Sequence, residues 1–198
     1  MLNTSPLDTC VQRWFIWQGR MASFETVLAS ERIYEGRLIN LRVDQIRTAA
    51  GVESVREIVE HPGAIALIAL DETGRVLLVK QYRHAVRAVT LEIPAGTLEP
   101  GEEPLAAAQR ELREETGQRA GQLDRLGGIY TAPGFSTEYI HFYLATQLAP
   151  DRLAMDEDEV IDLLRLPLTE AIDLIRAGQI DDGKTVGGLL LAQAWLNR

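Results

Sequence analysis

The 198-residue chain is poor in the features that mark several protein classes. It has one cysteine, Cys10, so no internal disulfide can form. With only three histidines, no Cys/His cluster has zinc spacing. A reducing compartment, the cytoplasm, is the expected setting. No apolar run approaches the roughly 20 residues that a membrane helix needs. The first residues lack a basic stretch followed by an apolar one, so a secretory signal is not expected. Basic residues number 20 against 29 acidic, a net charge of −9, which argues against a nucleic-acid partner held by a basic surface.

What is present is concentrated. Residues 92–115 hold seven acids and two bases, and residues 151–162 hold six acids and one base. The rest is nearly neutral, so two segments carry the excess. Either segment reads as a solvated face or as a site for a divalent cation.

The chain is long enough to bury a core as one domain with a small appendage. Residues 1–23 read as an N-terminal extension without clear periodicity. Residues 24–60 read as a small antiparallel sheet, with strands at 25–34, 38–48 and 52–60. Residues 61–198 read as the main domain. Its first strands are AIALIAL (64–70), apolar on both faces, and VLLVKQY (76–82). A short strand follows at 91–95, then a loop. A helix begins near Glu102 with Pro104 in its first turn, and Leu105, Ala108 and Leu112 form its apolar face. Gly117 is its expected stop. Strands near 123–130, 139–147 and 160–166 follow. The last two helices are expected from a Thr169 cap to Ala177 and over 185–197.

On the helix after Gly96, Glu111 lies three residues from Glu114 and four from Glu115, so all three share a face. Clustered hard oxygen donors suit Mg²⁺ or Mn²⁺. Arg110 and Arg113 are placed to offset part of the charge. Spacing alone leaves open whether this is a metal site or a solvated, ion-paired face.

The preceding loop tips that balance. Gly96, Glu102, Arg110-Glu111-Leu112, Glu114-Glu115 and Gly117 follow the pattern G-x5-E-x7-R-E-U-x-E-E-x-G-U, where U is bulky and apolar. In this stretch the chain resembles the Nudix hydrolase family, departing only at Gln118. The resemblance implies an α/β fold, a Nudix-type α/β/α sandwich with a mixed central sheet. It implies cleavage of a nucleoside diphosphate linked to another moiety, with two or three Mg²⁺ (or Mn²⁺) ions bound alongside substrate. Glu111, Glu114, Glu115 and the Ala95 carbonyl are the implied metal ligands. Gly96, Glu102 and Arg110 support them from behind.

Over residues 30–195 the resemblance is greatest to the ADP-ribose pyrophosphatase branch. Pro133 stands near that branch's marker proline, and VREIVEHPGAIAL and VKQYRHAV follow its pattern. The branch implies a homodimer that exchanges its N-terminal sheet, with Arg56 and Glu57 toward the nucleotide and Arg83 on a phosphate. Arg37 is a weaker candidate for the diphosphate. The second acidic segment falls where the branch carries its catalytic glutamate, which assigns Glu157 as the base for water, with Glu159 as its rival. His61 and His141 read as structural, and His84 as facing the pocket mouth. The expected reaction turns ADP-ribose into AMP and ribose 5-phosphate. The alternatives are another nucleoside diphosphate sugar such as GDP-mannose, a dinucleotide, or a module that binds ADP-ribose or NAD-like ligands without cutting them.

Overall fold

A computed structural model describes residues 24–154 and 161–198. The chain divides into two compact units, with the boundary between Val59 and Glu60. In the first unit, β1 (Glu25–Glu35), β2 (Asn40–Thr48) and β3 (Glu53–Glu60) form one three-stranded sheet in chain order. β1 pairs antiparallel with β2 and is exposed along all 11 residues. Inside this sheet Asp44 is buried and accepts hydrogen bonds from Ser30 and Arg42.

The second unit is built on β4 (Ala64–Ala69), β5 (Arg75–Arg83), β6 (Ala88–Glu92), β7 (Ala95–Thr97), β8 (Gln118–Tyr130), β9 (Tyr139–Pro150) and β10 (Asp162–Pro167). Two sheets result, in the orders β7-β4-β9-β8 and β10-β5-β6. β4 runs parallel to β9 and antiparallel to β7, so the four-stranded sheet is mixed. Every residue of β4 is buried, as its unbroken apolar run requires.

The two faces of β4 feed different cores. Ala64, Ala66 and Ile68 pack with Phe142, with Ala171 and Ile172 of α2 (Leu168–Arg176), and with Leu189 and Ala192 of α3 (Gly183–Leu196). Ile65, Leu67 and Ala69 pack with Ala107, Ala108 and Leu112 of α1 (Pro104–Thr116). Helices therefore cover both faces, the α/β/α sandwich that the resemblance implies. Each fully buried Leu or Ile contributes about 2 kcal/mol through burial.

Several boundaries differ from the sequence reading. The strand expected over 91–95 is two strands, because Ile93 and Pro94 interrupt it. Pro94 offers only its carbonyl, which accepts from the Leu67 N–H at 2.8 Å. Leu105 is exposed in the first turn of α1, and Ala107 joins the buried stripe instead. β8 starts immediately after Gly117, which takes the left-handed conformation and ends α1. Thr169 does not cap α2, since Pro167 holds that position and no side-chain cap bond forms. α3 begins earlier than expected because Asp182 caps it, accepting from Thr185 N–H at 3.0 Å.

Candidate active site

The site grows from the segment Glu92–Thr97, whose backbone is held from several sides. Ile93 N–H donates to the Thr185 hydroxyl at 2.9 Å, and Ala95 N–H donates to the Glu115 carboxylate at 2.9 Å. Thr185 is itself fixed, since its hydroxyl donates to Asp182 at 2.6 Å. The start of α3 and α1 itself thus set where Ala95 and Gly96 stand.

Gly96 is needed for a close approach. A methyl group there would lie 2.5 Å from one carboxylate oxygen of Glu111 and closer still to the other. Only a residue without Cβ lets the Glu111 carboxylate rest over this strand.

The carboxylate face is organised by Arg110. Its guanidinium donates to both oxygens of Glu102, each at 2.9 Å, and to the Thr97 carbonyl at 3.4 Å. The same group reaches Glu111 at 2.6 Å and Glu114 at 3.0 Å. The bond to Glu102, with Glu111 adding charge, raises the Arg110 pKa further, so this arginine is permanently charged. Glu102 is held below the usual carboxylate range by Arg110 despite some desolvation. Glu102 also accepts from Glu99 N–H at 3.1 Å, which ties the loop to the helix. Arg110 therefore offsets more of the helix charge than spacing suggested. Arg113 does not share that task, because its guanidinium pairs with Asp151 at 3.2 Å.

Glu111, Glu114 and Glu115 lie on one side of α1, and Glu115 is only 4% exposed. Among the described residues, no three His, Cys, Asp or Glu side chains converge in metal-binding geometry. Glu111 and Glu114 turn to Arg110, and Glu115 turns to the Ala95 amide. The donor set still suits a hard cation. It consists of carboxylate oxygens on a rigid helix, with the Glu111 carboxylate seated over Gly96.

The other expected residues are more scattered. Arg83 is on β5, with its side chain 43% exposed. Arg56 lies in the N-terminal sheet, ion-paired with Glu25. Glu57 and Arg37 are exposed in the same unit. Pro133 is exposed in the β8–β9 connection. His84 is exposed in the β5–β6 turn, in an edge-on contact with Tyr82. His61 accepts from Gly63 N–H at 3.0 Å and sits 3.8 Å from Glu138. Burial, and then Arg125, lowers the His141 pKa, which favours a neutral ring. Glu157 and Glu159 lie outside the described residues.

The sequence reading missed Glu92, Asp182, Lys184 and Thr185. A charged residue between Leu91 and Ile93 in a strand is a signal for a buried, paired carboxylate. Asp182 three residues before Thr185 is an N-cap signal.

Helices on both faces of a mixed sheet, with a carboxylate-bearing helix docked on a glycine turn, make an α/β/α frame around this site. Residues 59–186 match the family model described as NUDIX domain, and residues 25–59 match that of the nucleoside diphosphate sugar hydrolase N-terminal domain. The chain belongs to the Nudix hydrolase family. It is 44% identical over 164 residues to the methanol dehydrogenase activator of Bacillus methanolicus, spanning 82% of this chain and 89% of that protein. It is 40% identical over 163 residues to the ADP-ribose pyrophosphatase of Bacillus subtilis (strain 168), spanning 81% of this chain and 88% of that protein. A solved structure of an ADP compounds hydrolase superposes with a TM-score of 0.80 at 26% identity, covering 90% of this chain and 97% of that one. Nudix enzymes in general use Mg²⁺. No helix among the described residues is long and apolar enough to cross a membrane.

Proposed function

We propose that the chain is a Mg²⁺-dependent hydrolase that cleaves ADP-ribose to AMP and ribose 5-phosphate, acting as a homodimer in the cytoplasm. The observation that carries this reading is the complete carboxylate set of α1 beside the Gly96 cradle. A module that only binds its ligand has no use for three such carboxylates and an arginine tether.

Glu111, Glu114, Glu115 and the Ala95 carbonyl hold the metal, with Mn²⁺ as a substitute. Bound there, Mg²⁺ neutralises diphosphate charge and lowers the pKa of a coordinated water. Glu102 and Arg110 fix the rotamers of the carboxylates before substrate arrives. Arg83 meets a phosphate, while Arg56, Glu57 and Pro133 serve the nucleotide end. Glu157 accepts a proton from the attacking water. The water oxygen bonds to one phosphorus as the bridging P–O bond breaks, leaving the second phosphate on the departing half.

Support for the dimer comes from β1. This strand exposes Val27, Ile33 and Tyr34, apolar surface of the kind a partner covers. In the dimer the N-terminal sheet is exchanged, so that both protomers line each pocket.

The test is a hydrolysis screen with Mg²⁺ across ADP-ribose, GDP-mannose, NADH, diadenosine polyphosphates and nucleoside triphosphates. ADP-ribose is expected to give the highest kcat/KM, with AMP and ribose 5-phosphate as products. Preference for GDP-mannose by tenfold or more would reassign the substrate. Binding without turnover would reduce the chain to a sensor. Light scattering is expected to give the mass of a dimer, and a fully active monomer would end the shared-pocket reading.

A further inference from the structure

One heavily bonded carboxylate lies outside the carboxylates of α1 and their support. Glu92 ends β6, only 1% exposed. One of its oxygens accepts from Arg83 Nε at 2.8 Å and from Thr90 Oγ1 at 2.6 Å. The other accepts from Arg83 Nη2 at 2.7 Å, from Gln81 Nε2 at 3.3 Å and from Lys184 Nζ. A carboxylate offers about four lone-pair sites. Five donors saturate it, so Glu92 has nothing left for a metal, a water or a substrate. Burial would push its pKa up, but Arg83 and Lys184 outweigh that and hold it at about 2. It stays anionic throughout the working range of an enzyme.

The pairing constrains Arg83 in one particular way. Glu92 grips the Nε and Nη2 edge of the guanidinium side-on, the bidentate geometry that fixes a planar group in orientation as well as position. Nη1 has no hydrogen-bond partner among the described residues, and the side chain stays 43% exposed. Arg83 thus has one edge locked and one edge presented. Its protonation is strengthened first by Glu92 and also by the charge of Glu115 on α1.

Lys184 completes the arrangement from α3. Its ammonium bridges Glu92 and Asp182, the latter at 3.0 Å, with its side chain 14% exposed. Lys184 thereby ties the Glu92 carboxylate to the start of α3 and fixes the group that grips Arg83.

We propose that Glu92 and Lys184 are positioning residues that hold the Arg83 guanidinium edge-on, with its free Nη1 edge aimed at the diphosphate of the substrate. This rests on the reading of the chain as a diphosphate-cleaving Nudix enzyme. It extends that reading to residues on β6 and α3 that touch neither metal nor substrate.

The test is a double-mutant cycle on kcat/KM in the full-length protein with Mg²⁺, using Glu92→Gln, Arg83→Ala and the double variant. The substrate is ADP-ribose, or whichever compound of the screen the native protein cleaves best. Glu92→Gln is expected to lower kcat/KM at least tenfold alone and less than twofold when Arg83 is already alanine. Effects that multiply in the double variant would overturn the proposal, because Glu92 would then act by another route. Arg83→Lys covers the case in which Glu92→Gln fails to fold. It keeps the charge but loses the two-point grip, so it is expected to fall within threefold of Arg83→Ala. Near-native activity of Arg83→Lys would equally overturn the positioning role. Absence of turnover by the native chain on every compound would instead refute the function on which the proposal rests.

Discussion

Replacing Gly96 by alanine tests the proposed metal site through geometry, without replacing a charged group. The new methyl would stand 2.5 Å from one oxygen of Glu111 and closer to the other, where ordinary contact begins at 3.4 Å. The obstacle is the end of a flexible side chain rather than backbone, so the carboxylate yields and the fold does not. It must retreat by about 1.6 Å, an off-rotamer adjustment that costs about 1 kcal/mol. For a chain of this size that lowers Tm by roughly 3 °C. Metal–oxygen distances tolerate only about 0.2 Å, and a misplacement of about 1 Å at a reacting centre lowers rate by roughly a hundredfold. Mg²⁺ titrations of kcat, paired with thermal melts, are expected to show about a hundredfold loss and a higher Mg²⁺ midpoint in a protein that melts near the native temperature. A variant with kcat within threefold of native at the native Mg²⁺ midpoint would refute the assignment of Glu111 as a ligand.

Other outcomes follow from the same geometry. Glu115→Gln keeps an oxygen to accept the Ala95 N–H, so melts should match native while Mg²⁺-dependent turnover disappears. Arg110→Met leaves Glu102, Glu111 and Glu114 without their shared cation, and denaturant unfolding should show a loss of about 2 kcal/mol. Glu92 has a folded-state pKa lowered from 4.5 to about 2, so its contribution is present above pH 4.5 and fades as pH falls toward 2. That shift corresponds to about 3 kcal/mol. The stability gap between native protein and Glu92→Gln should therefore narrow in urea titrations run from pH 6 down to pH 3.

The parts of this fold that could be read from the sequence are those dictated by local chemistry. The AIALIA run of β4 is buried on both faces because it has no polar side to offer water. Pro104 and Gly117 bracket α1 because each fits only its own end of a helix. The three-stranded N-terminal sheet was legible from its turn residues. The spacing of Gly96, Glu102, Arg110 and the three glutamates was legible because it is contiguous. What escaped depends on residues far apart in sequence. Lys184 and Glu92 are 92 positions apart, and no local pattern links them. Spacing places Arg113 to relieve the helix charge, but Asp151, 38 residues away, pairs with it. Pro94 divides an expected strand because its carbonyl is taken by Leu67 of β4.

The parallel pairing of β4 with β9 also has a consequence in time. Ala64 meets Ile140 across that ladder, so the partners are separated by about 75 residues of intervening chain. During synthesis, β4 emerges long before the strand that covers its edge. Its six apolar residues must wait through the making of α1 and β8, and such a segment readily pairs with the wrong neighbour. β7 follows much sooner and pairs antiparallel with the opposite edge of β4. The glycine turn that shapes the candidate site thus also supplies the first strand to pair along an edge of β4 as the chain grows.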